Sequence, residues 1–509
     1  MAIDTAANNK RIAKNTLMLY FRMLFSMLVS LYTSRVVLQV LGVEDYGIYN
    51  VVGGVVAMMG VLNGTMAVAS QRYLTFELGR GNIVRLKQVF SMCFAIFIML
   101  TFVIIILCET VGLWFLNTQM VIPEERMQVA NWVYQFSIFS CVVSLIITPY
   151  NATIIAHERM NIYAYVGILE VVLKLAVAYL LLIIPLDSLF MYGFLLLLSQ
   201  IVVAIIYIAY CLKYFPESRY KFYWEKSLFV ELVNYSGWNL FGSLSGLVKG
   251  QGLNILLNMF FNPSINAARG IAYQINSVIT QFFTNFYTAV RPQITKYYAQ
   301  GDIKEMTKLV FSSSRLSFYL IMLVSMPIII ETPYIVNLWL GQLPEYIVPF
   351  TRLIIAISAV DSMASPLMTI VHATGNIRLY QFSVGTVTIL NIPISYVFLR
   401  LGYSPLSVFY ISLLISVVCL FMRLWIVRRL ILFPVKKYIV EVLGTSLLVC
   451  AVALVIPLTV YMILDENVYT VLFICILCIV SSIIAIYYMG LNSQERKLMY
   501  AIRTKIFQR

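Results

Sequence analysis

The sequence predicts an all-α polytopic membrane protein with about fourteen transmembrane helices. Its composition is 61% hydrophobic and only 11% charged, with a mean hydropathy of +0.88. A chain of 509 residues with so few polar side chains cannot cover the surface of a water-soluble globule. Its apolar residues are gathered into long runs, and most of its 36 Lys and Arg residues lie in every second segment between those runs. Lipid is therefore the solvent that this chain requires.

Each predicted span is an apolar run long enough to cross a bilayer as a helix. Prolines such as Pro149, Pro327, Pro366 and Pro393 lie inside these runs, where neighbouring helices or water must satisfy the backbone groups that each proline frees. The spans are predicted near 15–41, 46–71, 88–116, 129–152, 161–184, 188–213, 229–261, 266–290, 308–331, 346–373, 379–400, 405–428, 439–463 and 468–490.

The loop charges predict the orientation of the chain. Basic segments resist translocation, so the Lys- and Arg-rich side is cytoplasmic, and an even number of spans places both termini there. The net charge of +14 is spread over these loops, where anionic lipid headgroups explain it better than nucleic acid does. The opposite loops are acidic, with Glu44, Asp45, Glu124, Glu125, Asp187, Glu345, Asp465 and Glu466.

An internal repeat predicts two lobes. The segment PYNATIIAHERMNIY at 149–163 matches PLMTIVHATGNIRLY at 366–380, six spans later. A repeat of an even number of spans keeps its orientation, so a pseudo-twofold axis along the membrane normal relates the halves. We predict an N-lobe at 1–215 (spans 1–6), a C-lobe at 216–432 (spans 7–12), and two additional helices with a basic cytoplasmic tail at 433–509.

The chain resembles the polysaccharide (O-antigen) flippases of the multidrug/oligosaccharidyl-lipid/polysaccharide exporter superfamily. The resemblance is carried by the stretch NTLMLYFRMLFSMLVSLYTSRVVLQVLGVEDYGIYNVVGGV, by NPSINAARGIAYQINSVITQFF, and by twelve spans in two lobes plus two. It implies alternating access around a basic central cavity, which flips undecaprenyl-diphosphate-linked oligosaccharide from the cytoplasmic to the periplasmic leaflet of the bacterial inner membrane. O-antigen of lipopolysaccharide, or capsule, is the implied product. A polysaccharide polymerase or other assembly proteins are the implied partners.

Lys249, near the middle of the seventh span, is the first candidate for substrate binding. A charge at membrane depth is costly, so a lysine there needs an anion. Gly242, Gly246 and Gly250 lie around it at four-residue spacing, which lets a helix or a ligand approach the backbone. Contact with the substrate in a cavity and a structural ion pair are both open interpretations of Lys249.

The eighth span is too polar to face lipid. Its polar residues recur at helical spacing and form one stripe, which is typical of a face that lines water or contacts sugar. Hydrogen bonding to a neighbouring helix is the alternative. The stripe contains Gln274, Ser277, Gln281, Thr284, Asn285 and Thr288, of which Gln274, Gln281 and Asn285 are candidate substrate contacts.

The resemblance also bears on the arginines. Lipid-diphosphate flippases carry basic residues on the first, second, seventh and eighth spans, and this implies Arg35, Lys249 and Arg269 as contacts of the diphosphate. A guanidinium matches phosphate oxygens in a bidentate way. Arg22, two helical turns from the cytoplasmic side, is predicted to extend its side chain toward the membrane surface instead.

Two acidic residues lie at membrane depth. Glu170 and Lys174 are four residues apart on the fifth span and are predicted to neutralise each other. Asp361 lies in the middle of the tenth span. It is a candidate for H⁺ or Na⁺ coupling, and an ion pair with a base such as Lys249 is an equal alternative. We expect no metal site and no cofactor beyond such an ion.

The sequence excludes some functions and leaves one rival open. It contains no phosphate-binding glycine loop, no H-E-x-x-H motif and no large extramembrane segment, so we do not expect an enzyme. The rival is a proton- or sodium-coupled multidrug or organic-cation antiporter of the same superfamily. After Glu170 and Lys174 are paired, the deep charges are Arg22, Arg35 and Lys249 against Asp361, and this positive surplus favours an anionic cargo.

Overall fold

The computed structural model describes residues 5–57, 60–119, 122–261, 263–340, 345–465, 467–492 and 495–496. Over these residues the chain is helical, with short 3₁₀ and π segments and no β-strand, as the sequence predicts. The residues group into two compact units. Unit 1 contains 1–243 and 295–301, and unit 2 contains 244–294 and 302–509. Two long helices, α8 and α9, therefore each contribute to both units.

Unit 1 is built from the first seven helices, the start of α8 and the end of α9. Its first helix is kinked at Gly42, whose φ of 75° is open to glycine and disfavoured for other residues, and this kink separates the first two predicted spans. The helices are α1 (Thr5–Ala57), α2 (Gly60–Arg80), α3 (Ile83–Leu107), α4 (Leu113–Gln119), α5 (Glu124–Ala156), α6 (Met160–Ile183), α7 (Ser188–Tyr214) and α8 (Lys226–Phe260).

Unit 2 is built from the end of α8, most of α9 and the helices that follow. The last two long helices, α17 and α18, share a buried apolar core with α10, through side chains such as Phe318, Val449 and Ile474. The helices are α9 (Pro263–Ala299), α10 (Ile303–Ile330), α11 (Thr332–Leu340), α12 (Ile347–Thr374), α13 (Arg378–Ile389), α14 (Asn391–Arg400), α15 (Leu406–Ile431), α16 (Val435–Tyr438), α17 (Thr445–Ile463) and α18 (Val468–Ala485).

Eleven stretches of the described chain are long and apolar enough to cross a membrane. The helices α8 and α9 are long enough but too polar to be among them. They correspond to the seventh and eighth predicted spans, which the sequence marks as the ones with polar faces. A helix that is long yet polar is expected where one face contacts water or a polar ligand rather than lipid.

The sequence repeat corresponds to the same local structure in each unit. In unit 1, α5 contains Pro149, ends at Ala156, and is followed by a turn in which Glu158 has a positive φ of 58°. In unit 2, α12 contains Pro366 and is followed by Gly375, with a φ of 80°. A left-handed backbone conformation is accessible to glycine but strained for glutamate. We therefore expect contacts of the Glu158 side chain to offset this strain.

The segment before α8 contains an ion pair between Arg85 and Glu225 whose contribution to the stability of the fold depends on pH. Glu225 accepts hydrogen bonds from the guanidinium of Arg85, at 2.5 and 3.2 Å, and from the hydroxyl of Ser227. The bonds from Arg85 hold the pKa of the Glu225 carboxyl at about 2, below its ordinary value of 4.5. A lowered pKa in the folded state stabilises the fold above the ordinary value, and this stabilisation declines as the pH falls toward 2.

We therefore expect the Glu225→Gln variant to melt below the wild type by a constant margin at neutral pH. The margin should shrink as the pH falls below 4.5. Thermal unfolding of both proteins in detergent across this range measures the margin. A margin that is unchanged down to about pH 3 would contradict the contribution of the Arg85 contact.

Candidate functional site

The interior of unit 2 contains a cluster of charged side chains on α12 and α15. A guanidinium nitrogen of Arg423 lies 3.6 Å from the Oδ1 of Asp361, and the hydroxyl of Ser416 donates a hydrogen bond of 2.7 Å to the same oxygen. Ser416 and Arg423 are seven residues apart on α15 and therefore lie on one face of that helix. The Arg423 side chain is 16% exposed and that of Asp361 is 50% exposed, so solvent or a ligand reaches the carboxylate.

Lys249 of α8 belongs to the same cluster. It is half-buried, and it interacts electrostatically with both Asp361 and Arg423. Asp361 therefore pairs most closely with Arg423 rather than with Lys249, the base that the sequence suggested. One carboxylate is shared by two bases, so the cluster carries a net charge of +1. Its uncompensated charge is available to an anion.

Arg423 was missed by the sequence analysis. It lies within α15 (Leu406–Ile431) and within the predicted span 405–428, but the sequence analysis counted it with the basic loop residues and not with the deep charges. Its Nε donates a hydrogen bond of 3.3 Å to the hydroxyl of Tyr380 on α13, which holds the guanidinium inside unit 2. The signal that could have revealed it is the spacing of Ser412, Ser416, Cys419 and Arg423, which lie on one helical face.

Arg269 connects α9 to α8. Its guanidinium donates hydrogen bonds of 3.1 Å to the side-chain oxygen of Asn254 and 2.9 Å to the carbonyl of Gly250. It also lies over the ring of Tyr273, 4.7 Å from the centroid. Part of the hydrogen-bonding capacity of the Arg269 guanidinium is thus used within the protein. One of its acceptors, the carbonyl of Gly250, belongs to the residue that follows Lys249 in α8.

The polar stripe of α9 is open rather than packed. Gln274 and Gln281 are exposed, and Asn285 is half-buried. The amide of Asn285 donates a hydrogen bond of 3.0 Å to the carbonyl of Gln281, and the hydroxyl of Ser277 donates one to the carbonyl of Gln274, so these bonds run back into α9 itself. Exposed amides on such a face can exchange hydrogen bonds with water or with sugar hydroxyls.

The remaining predicted residues lie in unit 1. Arg35 is exposed on α1. Lys174 donates a hydrogen bond of 2.7 Å to Glu170, which confirms the predicted neutralising pair on α6. Lys249, Asp361 and Arg269 thus belong to unit 2, and Arg35 to unit 1.

The charged cluster of unit 2 is better suited to an anion than to a metal ion. Its single carboxylate already faces two bases, and a cation would have to compete with both of them. Among the described residues there is no group of three or more His, Cys, Asp or Glu side chains that could hold a metal ion.

The comparisons with known proteins identify the fold. No family model matches the sequence, and no curated protein matches it. Among solved structures, an outward-facing multidrug-resistance MATE family transporter of the MOP superfamily matches with a TM-score of 0.72 and 13% identity, over 85% of this chain and 96% of that one. MATE in its bent conformation matches with a TM-score of 0.71 and 13% identity, over 84% and 96%.

A third match has a different pocket. It is a MOP superfamily transporter from Pyrococcus furiosus, described as having a binding pocket of reverse polarity that suggests a different function. The TM-score is 0.68 at 12% identity, over 85% of this chain and 96% of that one. The chain thus has the fold of a multi-pass membrane transporter. More narrowly, this is a MATE-like fold with two lobes of helices.

Proposed function

We propose that this protein is a flippase for undecaprenyl-diphosphate-linked oligosaccharides and works by alternating access. The observation that carries the proposal is the positive surplus of the unit 2 cluster, in which Lys249 and Arg423 share the single carboxylate of Asp361. A diphosphate is the anionic group of such a lipid, and Lys and Arg side chains bind phosphate oxygens through charge-assisted hydrogen bonds. The resemblance of the sequence to O-antigen flippases supports the same cargo.

The polar stripe of α9 supports a glycan as the second part of the cargo. Gln274 and Gln281 offer exposed amides on the helix that follows α8. Export of an anion also runs down the inside-negative membrane potential, which supplies about 2.3 kcal/mol per charge per 100 mV. Two phosphate charges can therefore drive transfer toward the periplasmic leaflet without a coupling ion, and ion coupling through Asp361 is optional in this mechanism.

The proposal has consequences for the location of the protein. A flippase of this kind acts in the bacterial inner membrane with both termini in the cytoplasm, which is the orientation that the loop charges favour. The transferred lipid-linked oligosaccharide is then available to a polysaccharide polymerase or to other assembly proteins at the periplasmic face. The protein moves its cargo without making or breaking a covalent bond and is not an enzyme.

The rival function is a proton- or sodium-coupled multidrug antiporter. It is favoured by the solved structures with the same fold, which include a multidrug-resistance MATE transporter, and by the half-exposed carboxylate of Asp361. A site for organic cations should carry a negative surplus, because a cation is attracted to unpaired carboxylates. The cluster has the opposite sign, and this leads us to prefer the anionic cargo.

The test is leaflet transfer of a polyprenyl-diphosphate oligosaccharide in proteoliposomes, measured by its accessibility to an external glycan-modifying enzyme. Losing a charge-assisted bond of roughly 1.5–3 kcal/mol should slow transfer about tenfold or more in the Lys249→Ala variant. The matched control is Lys308→Ala, because Lys308 lies in the same unit but is 54% exposed and pairs with Glu305. Transfer that is equal in all three proteins, or uptake of organic cations in its place, would overturn the proposal.

A further inference from the structure

Unit 1 contains a polar cavity of about 260 Å³ that the unit 2 cluster does not include. Its walls come from α1, α5, α6 and α7. The side chains that define its chemistry are those of Arg22, Asn151, Tyr163, Glu170, Gln200 and Tyr207.

Arg22 passes close to a glycine at this cavity. A Cβ atom at Gly167 of α6 would lie 2.7 Å from the Cδ of Arg22, so a larger residue at position 167 would require the Arg22 side chain to shift. The guanidinium then lies over the ring of Tyr163, 4.4 Å from its centroid. The sequence predicted that Arg22 would extend toward the membrane surface. The structure instead directs its donors into the cavity.

The cavity also offers acceptors. The side-chain oxygen of Asn151 is buried and has no hydrogen-bond partner among the described residues. Glu170 uses one carboxylate oxygen to accept from Lys174, which leaves its second oxygen as an acceptor. The free oxygen of Glu170 and the half-buried side chain of Asn151 therefore give the wall hydrogen-bonding groups beside Arg22.

The rest of the wall is fixed. The amide of Asn63 donates to the hydroxyl of Ser144 at 3.3 Å, and the hydroxyl of Thr148 donates to the oxygen of Asn63 at 2.9 Å. These polar groups satisfy one another and hold α2 against α5. Ser144 and Thr148 are therefore engaged within the protein, and the charged groups that face an occupant are those of Arg22 and Glu170.

We propose that this cavity binds one sugar ring of the glycan. Donors, acceptors and tyrosine rings in one small cavity are what a ring with several hydroxyls and an apolar face requires. The volume lies below the roughly 300–1,000 Å³ of sites for drug-sized ligands, which favours a single ring over a larger molecule. The inference rests on the proposed function, and it adds to the α9 stripe a site in unit 1 for one ring of a glycan.

The test is direct binding of free sugars to the full-length protein in nanodiscs, by saturation-transfer NMR. The probes are glucose, galactose, N-acetylglucosamine and glucuronate. We expect transfer to the ring protons of at least one of them, and a reduction of about fivefold or more in Gly167→Ala, which displaces Arg22, and in Asn151→Leu, which removes the buried oxygen. Melting curves of both variants show whether they fold, and Asn151→Asp, which keeps an acceptor oxygen, should bind like the wild type.

The outcomes separate this inference from the proposed function. Lys249→Ala should leave sugar binding unchanged while it slows leaflet transfer. Sugar binding without any leaflet transfer would leave the sugar site standing and overturn the flippase. No transfer of saturation to any of the four sugars would overturn the sugar site. Transfer that is as strong in Gly167→Ala and Asn151→Leu as in the wild type would also overturn it.

Discussion

Replacing Glu158 with alanine is expected to destabilise unit 1 by about 3 kcal/mol. The carboxylate of Glu158 is fully buried in the turn between α5 and α6, where it pairs with Arg11 of α1 at 2.7 Å and with Lys296 of α9 at 2.6 Å. Removing one partner of a buried ion pair costs roughly 3–5 kcal/mol, because it leaves the other charge buried and unpaired. We expect the low end of that range because Arg11 is 46% exposed and can be solvated.

Thermal unfolding of the purified protein measures this loss. The matched control is Glu441→Ala, because the pair of Glu441 with Lys437 is 3.6 Å long and both side chains are largely exposed. Its loss should change the free energy of unfolding by less than about 0.5 kcal/mol. Equal melting temperatures for the two variants would show that burial of Glu158 contributes nothing.

The position of Glu158 explains why a glutamate tolerates a left-handed backbone there. Its main-chain carbonyl accepts a hydrogen bond of 3.1 Å from the amide of Asn15, while its side chain holds two bases. A glycine at position 158 would relieve the backbone strain at a φ of 58° but would lose both ion pairs. The backbone strain is therefore offset by the contacts that only the carboxylate provides.

A second contact holds the end of α9 in unit 1. A Cβ atom at Gly79 of α2 would lie 2.8 Å from the Cβ of Ala299 and 3.1 Å from the Cα of Lys296. The residues 295–301 belong to unit 1 although most of α9 belongs to unit 2. Lys296 is thus fixed both by backbone packing at Gly79 and by the ion pair with Glu158. A movement of α9 that carries residues 295–301 away from α2 has to break both contacts.

The sequence predicted the fold class because composition and apolar runs act over the whole chain. It also predicted the Glu170–Lys174 pair, which depends on spacing within one helix. It did not predict the Glu158 contacts, because Lys296 is 138 residues away and loop charges alone do not determine which residues meet. The lobe boundaries at 215 and 432 stay predictions, as does contact of Arg35, Lys249 and Arg269 with a diphosphate.

Arg22 and Arg423 show a second limit of the sequence. Both bases lie toward one end of an apolar run, where an extended side chain is the usual expectation. Gly167 and Tyr163 redirect Arg22, and Tyr380 and Asp361 hold Arg423. In each case the deciding partner comes from another helix, and a helix face read from one sequence does not show which neighbour it meets.

Asp361→Asn is expected to slow leaflet transfer about tenfold or more and to lower stability, because it leaves Arg423 and Lys249 without a counter-charge. The cluster would then carry a charge of +2, with the Arg423 side chain only 16% exposed. The double variant Asp361→Asn/Arg423→Gln returns the cluster to +1, the charge of the wild type, with Lys249 as its base. We expect this double variant to recover most of the lost stability, with a coupling energy of roughly 1–2 kcal/mol in a double-mutant cycle.

The transfer activity of the double variant separates the two functions. If Asp361 serves only to balance the bases, restoring the charge of +1 should restore transfer of the polyprenyl-diphosphate oligosaccharide to within about threefold of the wild type. An antiporter that couples transport to H⁺ or Na⁺ through Asp361 would stay inactive, since neither variant has the carboxylate. Additive losses in the double variant, in stability and in transfer alike, would mean that Asp361 acts on its own and that charge balance does not explain the cluster.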